Sequence, residues 1–329
     1  MNRYAPQILL SQIGEEGQKA LHKAAVAIIG CGALGSTIAE QVARAGIGNI
    51  LIVDRDFVEL DNLHRQYLFT EADVGTPKAV VAEEKLRAIN SEINIEGMVD
   101  DVNQTNVEQI IENKDLILDG TDNLNVRFLM NDACIKNSIP LIYGACVSVN
   151  GMTMNILPEG PCLRCLLPQI PAPKSVPSTD TVGIINTLPS VVGSLESTEA
   201  MKYLVGHPLD SHLTIIDIWE KDFRIIEVSQ REECPCCVHH TYEFLERKAE
   251  VTALVGQNAV QVNQAKKYDL SLHELAQKLK TQGKVKETPH ILFFSVDQYT
   301  MSVFSDGRAI IKGTTDEKKA KSLYSKYLD

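Results

Sequence analysis

The stretch that most constrains this chain is an apolar run rich in Val and Ile (24–29) that passes directly into GCGALGS. A helical pattern, STIAEQVARAG, follows. A short continuous apolar run bounded by glycine reads as a buried strand. The helix stops at Gly46, a residue type suited to the position just past a helix C-terminus. A second apolar run, 49–53, ends at Asp54. Strand, glycine turn, helix and strand make a βαβ unit, which commits the chain to a parallel sheet flanked by helices.

The turn fits G-x-G-x-x-G. Gly30, Gly32 and Gly35 permit a tight bend and close backbone approach, with Ala33 inside the turn. The helix N-terminus beyond offers free N–H groups and a positive dipole end to phosphate. Asp54 stands where an acid can bind ribose hydroxyls. Taken alone, the pattern fits an NAD-linked oxidoreductase as readily as an ATP-using enzyme.

The alternation of elements continues. Residues 78–89 read as a helix, 115–118 as a strand ending in DGTDN, 125–136 as a helix and 140–143 as another buried strand. Residues 147–156 alternate in a way that suits antiparallel pairing. Residues 168–178, rich in Pro and Ser, read as an exposed loop, and 189–205 as a helix ending at Gly206. After CPCC the composition changes. Ser271 and Glu274 form a capping box before a short amphipathic helix. Strands are expected over 291–296, 299–304 and 309–312, with a turn at 305–308. A second capping box, Thr314 to Glu317, opens a terminal helix. The expected architecture is α/β: a doubly wound Rossmann-like sheet with a zinc-bearing lobe over 1–245, and a small α+β module over 246–329.

The cysteines point to a metal. Cys162-Leu-Arg-Cys165 and Cys234-Pro-Cys-Cys237 supply two Cys-x-x-Cys hooks. Four thiolates at about 2.3 Å make the tetrahedral shell that Zn²⁺ prefers. A redox pair would instead have one hook opening a helix after a strand, whereas Pro and loop residues surround both hooks. Cys236 is then a spare thiol. His239 and His240 could replace a ligand, but four cysteines already suffice. Cys31, Cys134 and Cys146 sit in apolar contexts and read as buried small residues.

Net charge is −11 across 329 residues, which argues against nucleic acid as the main partner, because phosphate backbones need a basic surface. No apolar run approaches the roughly 20 residues needed to cross a bilayer, and residues 1–6 lack the charged-then-apolar pattern of a signal peptide. The reading is a cytoplasmic protein, in which eight cysteines are not structural disulfides.

GCGALGS, VDRDFVELDNLHRQ, GTPKA, DGTDN with Arg127 after it, CLRC and CPCC occur in an order and spacing that resembles the ThiF/MoeB/HesA family, relatives of the ubiquitin-activating enzymes. The resemblance runs over about residues 1–245. It implies adenylation of the C-terminal glycine carboxylate of a small ubiquitin-like sulfur carrier of the ThiS or MoaD type, for thiamine thiazole or molybdopterin synthesis. It implies ATP and Mg²⁺ at Arg65, Lys78 and Asp122, with Asn62, Gln66, Asn123 and Arg127 completing the nucleotide site, and a structural Zn²⁺. It implies a homodimer and a cysteine desulfurase as sulfur donor. Charge develops on phosphate oxygens as pyrophosphate leaves, so preorganised cations suit the chemistry, and a carboxylate suits Mg²⁺.

The chain departs from the family in three places. Where the family often has Arg-Tyr-Ser-Arg-Gln, this chain has Arg3-Tyr4-Ala5-Pro6-Gln7, so Pro6 replaces an arginine that would reach a partner's site. Thr179 falls where many members carry a cysteine in the crossover loop. The last 80 or so residues resemble a module found only in some bacterial members. These departures keep open a divergent enzyme acting on another peptide C-terminus, and a non-catalytic paralogue that binds the carrier.

Overall fold

A computed structural model of the chain describes residues 3–171, 178–246, 251–253, 259–262, 270–288, 291–304 and 307–328. It divides into two compact units, Met1–Ala172 with Val182–Arg247, and Pro173–Thr181 with Lys248–Asp329.

The larger unit is built on eight strands: β1 (Ala25–Ile29), β2 (Asn49–Val53), β3 (Asn94–Met98), β4 (Leu116–Asp119), β5 (Leu141–Val147), β6 (Asn150–Ile156), β7 (Leu213–Asp217) and β8 (Asp222–Ile226). Their order in the sheet is β3-β2-β1-β4-β5-β6-β7-β8. The first five strands in that order run parallel, and β6, β7 and β8 continue antiparallel. The principal helices are α1 (Gly14–Lys23), α2 (Ala33–Ala45), α3 (Lys78–Ile89), α4 (Leu124–Lys136) and α5 (Leu188–Leu204).

Strand alternation sends residues to two cores. Val26, Ile28, Ile50, Ile52, Leu116 and Leu118 pack on one face with Ile38 and Val42 of α2, Leu86 of α3 and Val192 of α5. Ala27, Ile29, Leu51, Val53 and Ile117 pack on the other, with Phe128 and Leu129 of α4 and the Cys162 and Cys234 hooks. Strands buried on both faces are apolar throughout, which is why β1, β2 and β4 read as unbroken Val/Ile/Leu runs. Gly46 adopts φ +86° as the left-handed residue closing α2, and the Tyr4 ring lies where a Cβ there would project.

The smaller unit holds a six-stranded antiparallel sheet. Its strands are β9 (Val251–Ala253), β10 (Ala259–Val262), β11 (Lys284–Glu287), β12 (Ile291–Val296), β13 (Tyr299–Phe304) and β14 (Ala309–Lys312), in the order β11-β12-β13-β14-β10-β9. Helices α6 (Leu272–Leu279) and α7 (Glu317–Tyr327) belong to it. Strands β9, β10 and β11 carry too little pattern to be read from sequence. Ser271 caps α6, its hydroxyl accepting the N–H of Glu274 at 3.3 Å. The capping box at Thr314 is not formed. Asp316 caps α7 instead, accepting from the N–H groups of Lys318 and Lys319, while Thr314 accepts from Asp316 N–H. A carboxylate two residues closer to the helix reaches its free amides better than the hydroxyl does. Residues 305 and 306 of the expected turn, and 172–177 of the expected loop, lie outside the described residues.

Candidate functional site

After β1 the chain goes on to β2 and β3 on one side, then places β4 on the other side of β1. The split between β1 and β4 is a topological switch point, where α/β sheets form a crevice beyond the carboxyl ends of their strands. Gly30, Asp54 and the segment 120–123 leave the sheet at those ends.

The glycine turn is held by contact. Gly30 has φ +87°, and a Cβ on Gly35 would lie 1.9 Å from Gly30 O, so any side chain there would force the turn apart. Gly32 is the N-cap of α2 and supplies no side-chain cap, so amides of the first turn face the crevice without an intrahelical acceptor.

Asp54 pins this turn to the end of β2. It is buried, and its carboxylate accepts Cys31 N–H at 2.5 Å and Asp56 N–H at 2.6 Å. Burial pushes its pKa up, with the Lys78 ammonium pulling the other way. The ribose-binding acid expected from sequence thus already has both oxygens on backbone amides.

Lys78 opens α3, positioned by its N–H to Asp56 O at 2.9 Å and by the Phe57–Pro77 bridge. Its side chain is buried, with Nζ 3.9 Å from Asp56 Oδ2. Burial opposes its charge, but Asp54, Asp56 and Asp122 outweigh that and raise its pKa above the ordinary value. Lys78 is thus a buried amine whose charged form its acidic neighbours favour. Asp122 is exposed, and its charge is felt at Lys78, Arg55 and Arg127 alike. Arg55, which the sequence reading passed over, pairs with Asp101 at 2.8 Å.

Asn62 and Gln66 lie on and just after the 3₁₀ turn Leu60–Asn62. Both are buried, and Asn62 Oδ1 and Gln66 Oε1 have no hydrogen-bond partner among the described residues. Gln66 Nε2 lies 3.8 Å from where a Gly32 Cβ would be. Orphaned buried polar atoms beside an uncapped helix N-terminus are what a polar ligand would satisfy. Arg65 is half-buried and folded back on its own turn, donating to Asp61 O at 2.9 Å with His64 Nε2 at 2.8 Å. The structure shows no contact from it to Lys78 or Asp122 among the described residues.

Asn123 caps α4, accepting from Asn125 and Val126 N–H. Arg127, one turn on, spends its guanidinium internally: Nε on Asp119 Oδ2 at 3.0 Å, and Nη2 on Gly144 O at 2.8 Å and on Thr121 O. Asp119, also missed from sequence although it closes β4, accepts Thr121 N–H and hydroxyl on its other oxygen. Arg127 and Asp119 therefore shape the loop that presents Asp122. Removing one partner of such a buried pair costs about 3–5 kcal/mol. Behind them Glu196 of α5 is fully buried against Gly144, with both oxygens unpartnered among the described residues. No sequence signal marks it, since an acid within a helix reads as a solvent-facing residue.

The two cysteine hooks converge. The sulfurs of Cys162, Cys165, Cys234 and Cys237 all lie within 4.8 Å of one another. Cys162–Cys234 is 3.6 Å and Cys165–Cys237 is 3.5 Å, close to the ~3.8 Å edge of a tetrahedron with 2.3 Å Zn–S bonds. His239 and His240 are turned to Glu233 and Tyr242 instead. Cys31 and Cys134 are fully buried, and Cys146 is half-buried.

Near the N-terminus, Pro6 lies in the first turn of the short helix Ala5–Ile8. Arg3 donates to Ile89 O at 3.1 Å and pairs with Glu92 at 3.4 Å, at the C-terminal end of α3. Thr179 begins the four-residue helix Thr179–Val182. A separate cavity of about 700 Å³ touches the starts of β2 and β3 through Asn49 and Asn94, at the end of the sheet opposite the crevice. Among the described residues no helix is long and apolar enough to cross a membrane.

A family profile described as the ThiF family matches residues 4–236. The chain is 39% identical over 334 aligned positions to a sulfur carrier protein ThiS adenylyltransferase of Bacillus subtilis, covering 99% of each chain. It is 40% identical over 245 positions to a sulfur carrier protein adenylyltransferase of Thermus thermophilus, covering 72% of this chain and 90% of the relative. Among solved structures, E. coli MccB with MccA-N7isoASN superposes with a TM-score of 0.64 at 24% identity, covering 72% of this chain and 75% of that one, and so shares the fold. The chain belongs to the ThiF family of adenylyltransferases.

Proposed function

We propose that this chain activates the C-terminal glycine carboxylate of a ubiquitin-like sulfur carrier by transferring AMP from ATP. The observation that carries the reading is Lys78, a buried ammonium held charged by Asp54, Asp56 and Asp122 in a crevice lined by an uncapped helix N-terminus. A relative alignable over the whole chain and named for that reaction supports it.

The carrier's carboxylate oxygen attacks the α-phosphorus of ATP, the Pα–O bond to the β-phosphate breaks, and pyrophosphate leaves with the bonding electrons. Lys78 and the first-turn amides of α2 stabilise the negative charge gathering on the phosphate oxygens. Asn62 and Gln66 orient the nucleotide through their orphaned oxygens, whose natural donors are ribose hydroxyls. Asp122 would hold Mg²⁺, which supplies charge neutralisation between the phosphates when bound. Asp54, Asp119 and Arg127 act one step back, fixing the two loops. Arg65 joins the phosphates only by leaving Asp61 O.

The four cysteines would hold a structural Zn²⁺, since a closed all-thiolate set leaves no open coordination position. Homodimerisation and sulfur delivery by a cysteine desulfurase complete the reading, with the carrier serving thiazole or molybdopterin synthesis. ATP use and eight unpaired cysteines suit a reducing cytoplasm. The experiment is ATP–pyrophosphate exchange with purified carriers ending in Gly-Gly. Exchange that needs the carrier and its last glycine supports the reading; exchange with no candidate, alongside intact ATP binding, rejects it.

A further inference from the structure

Cys236 sits between two metal-site cysteines and is itself outside the four-sulfur cluster. It is buried, and its sulfur accepts a hydrogen bond from Asn131 Nδ2 at 3.2 Å. Asn131 is fully buried on α4. Its other amide atom, Oδ1, accepts the N–H of Leu163 at 2.8 Å, and Leu163 directly follows Cys162 in the first hook. One side-chain amide thus grips both hooks, which lie 72 residues apart in sequence.

The grip is anchored. The next residue, Asp132, accepts Phe244 N–H at 2.8 Å, and Phe128 stacks on Phe244 at 4.8 Å. Helix α4 therefore holds the chain at the first hook, at the second hook and just beyond it. The first hook opens the one-turn helix Leu163–Leu166 with Cys162 as its N-cap, and the second lies in turns; neither element by itself fixes the distance between the hooks. A tetrahedral thiolate site needs that distance set to a few tenths of an ångström. A planar amide offers an acceptor on one side and a donor on the other, which neither leucine nor alanine can do.

We propose that Asn131 and Cys236 form a metal-independent clasp that presets the spacing of the two Cys-x-x-Cys hooks. Asn131 is then a positioning residue of the metal centre. Cys236 is its sulfur anchor, neither a fifth ligand nor a reactive thiol. The proposal rests on the metal reading above and is independent of the carrier and of ATP.

The test uses the full chain purified without chelator. Zinc content, zinc retention in competition with a chromophoric chelator, and the absorption of Co²⁺-exchanged protein are measured. Wild type should hold one zinc. Asn131→Leu and Cys236→Ala should each still hold one zinc but lose it to the chelator about 10–100-fold more readily, the usual effect of removing an outer-shell partner. Because both break the Asn131–Cys236 bond, and Asn131→Leu also frees the Leu163 N–H, the double variant should lose little more than Asn131→Leu alone. The thiolate-to-cobalt band should keep four-thiolate intensity in Cys236→Ala. Should Asn131→Leu fail to fold, Cys236→Ala alone decides between the outcomes. Zinc held by Cys236→Ala as tightly as by wild type overturns the clasp, and so does a drop in thiolate intensity, which would make Cys236 a ligand. A wild type without zinc overturns both the clasp and the metal reading; a wild type with zinc and an unaffected Cys236→Ala overturns the clasp alone.

Discussion

Replacing Glu196 by Gln should stabilise the protein, increasingly so as pH rises. Glu196 is fully buried on α5 and neither carboxyl oxygen has a partner among the described residues. Burial raises its pKa well above the ordinary 4.5; repulsion from Asp119 adds to this and Arg127 opposes it. Tyr143 and Cys146 of β5 also feel its charge, and α2 meets it with the apolar Leu34. In the folded chain Glu196 holds its proton at pH values where the unfolded chain has released it. The folded state then binds one extra proton, so stability falls as pH rises from the unfolded value up to the raised folded one. The slope is about 1.4 kcal/mol per pH unit. Gln carries no such proton, has nearly the same shape, and leaves the same two positions unpaired. The advantage of Gln should thus grow as pH rises from about 5 to about 6, just above the unfolded value, by up to that slope. At about 2–4 °C per kcal/mol for a unit of this size, that is a relative rise in Tm of up to about 3–6 °C over that pH unit. Thermal unfolding of both proteins at the two pH values measures it, and contributions from every other titrating group cancel in the difference. A difference that does not change with pH, or a Gln variant less stable at the higher pH, would refute the reasoning.

Four further outcomes are expected. Asp122→Ala should keep the fold and lose Mg²⁺-dependent pyrophosphate exchange by about 2–4 kcal/mol of transition-state stabilisation; full exchange in this variant would remove Asp122 from the site. Cys162→Ser should lower the zinc content and the melting temperature, because a structural metal site contributes folding free energy; metal analysis and thermal unfolding check both. Arg3→Ala should leave exchange unchanged, since Arg3 is occupied by Ile89 O and Glu92; a large drop would mean that it serves a second copy's site in place of the arginine Pro6 replaces. After incubation with ATP and carrier, mass spectrometry should find no thioester and no ester at Thr179, because a threonine hydroxyl without a base is a poor nucleophile at neutral pH.

Much of the site could be read from sequence because its pieces are local. Gly30 to Gly35 must bend and cap within a few residues, and only glycine allows the 1.9 Å approach that a Gly35 side chain would make. Lys78 begins a helix whose bounds the sequence shows, and each Cys-x-x-Cys hook is complete in four residues. Strands β1, β2, β4 and β5 follow from their apolar runs, and β6 from its alternation. Strands β3, β7 and β8 did not, because they are partly exposed, and β9 to β11 did not for lack of an apolar run.

What the sequence by itself determined, then, is the parallel α/β core, the glycine turn and the two Cys-x-x-Cys hooks, each set by backbone geometry or by contiguous residues. Only the tertiary structure decided how the remaining polar groups are used. Only the fold shows Arg127 bonded to Asp119, Thr121 and Gly144. Asp54 marks the end of β2 in the sequence, and only the fold shows that its carboxylate accepts from two backbone amides. Glu196 and Asn131 read as unremarkable helix residues until the fold buries them against Gly144 and between the cysteine hooks. A polar side chain's role depends on which partners reach it and how much water is left, and those partners come from segments far away in sequence.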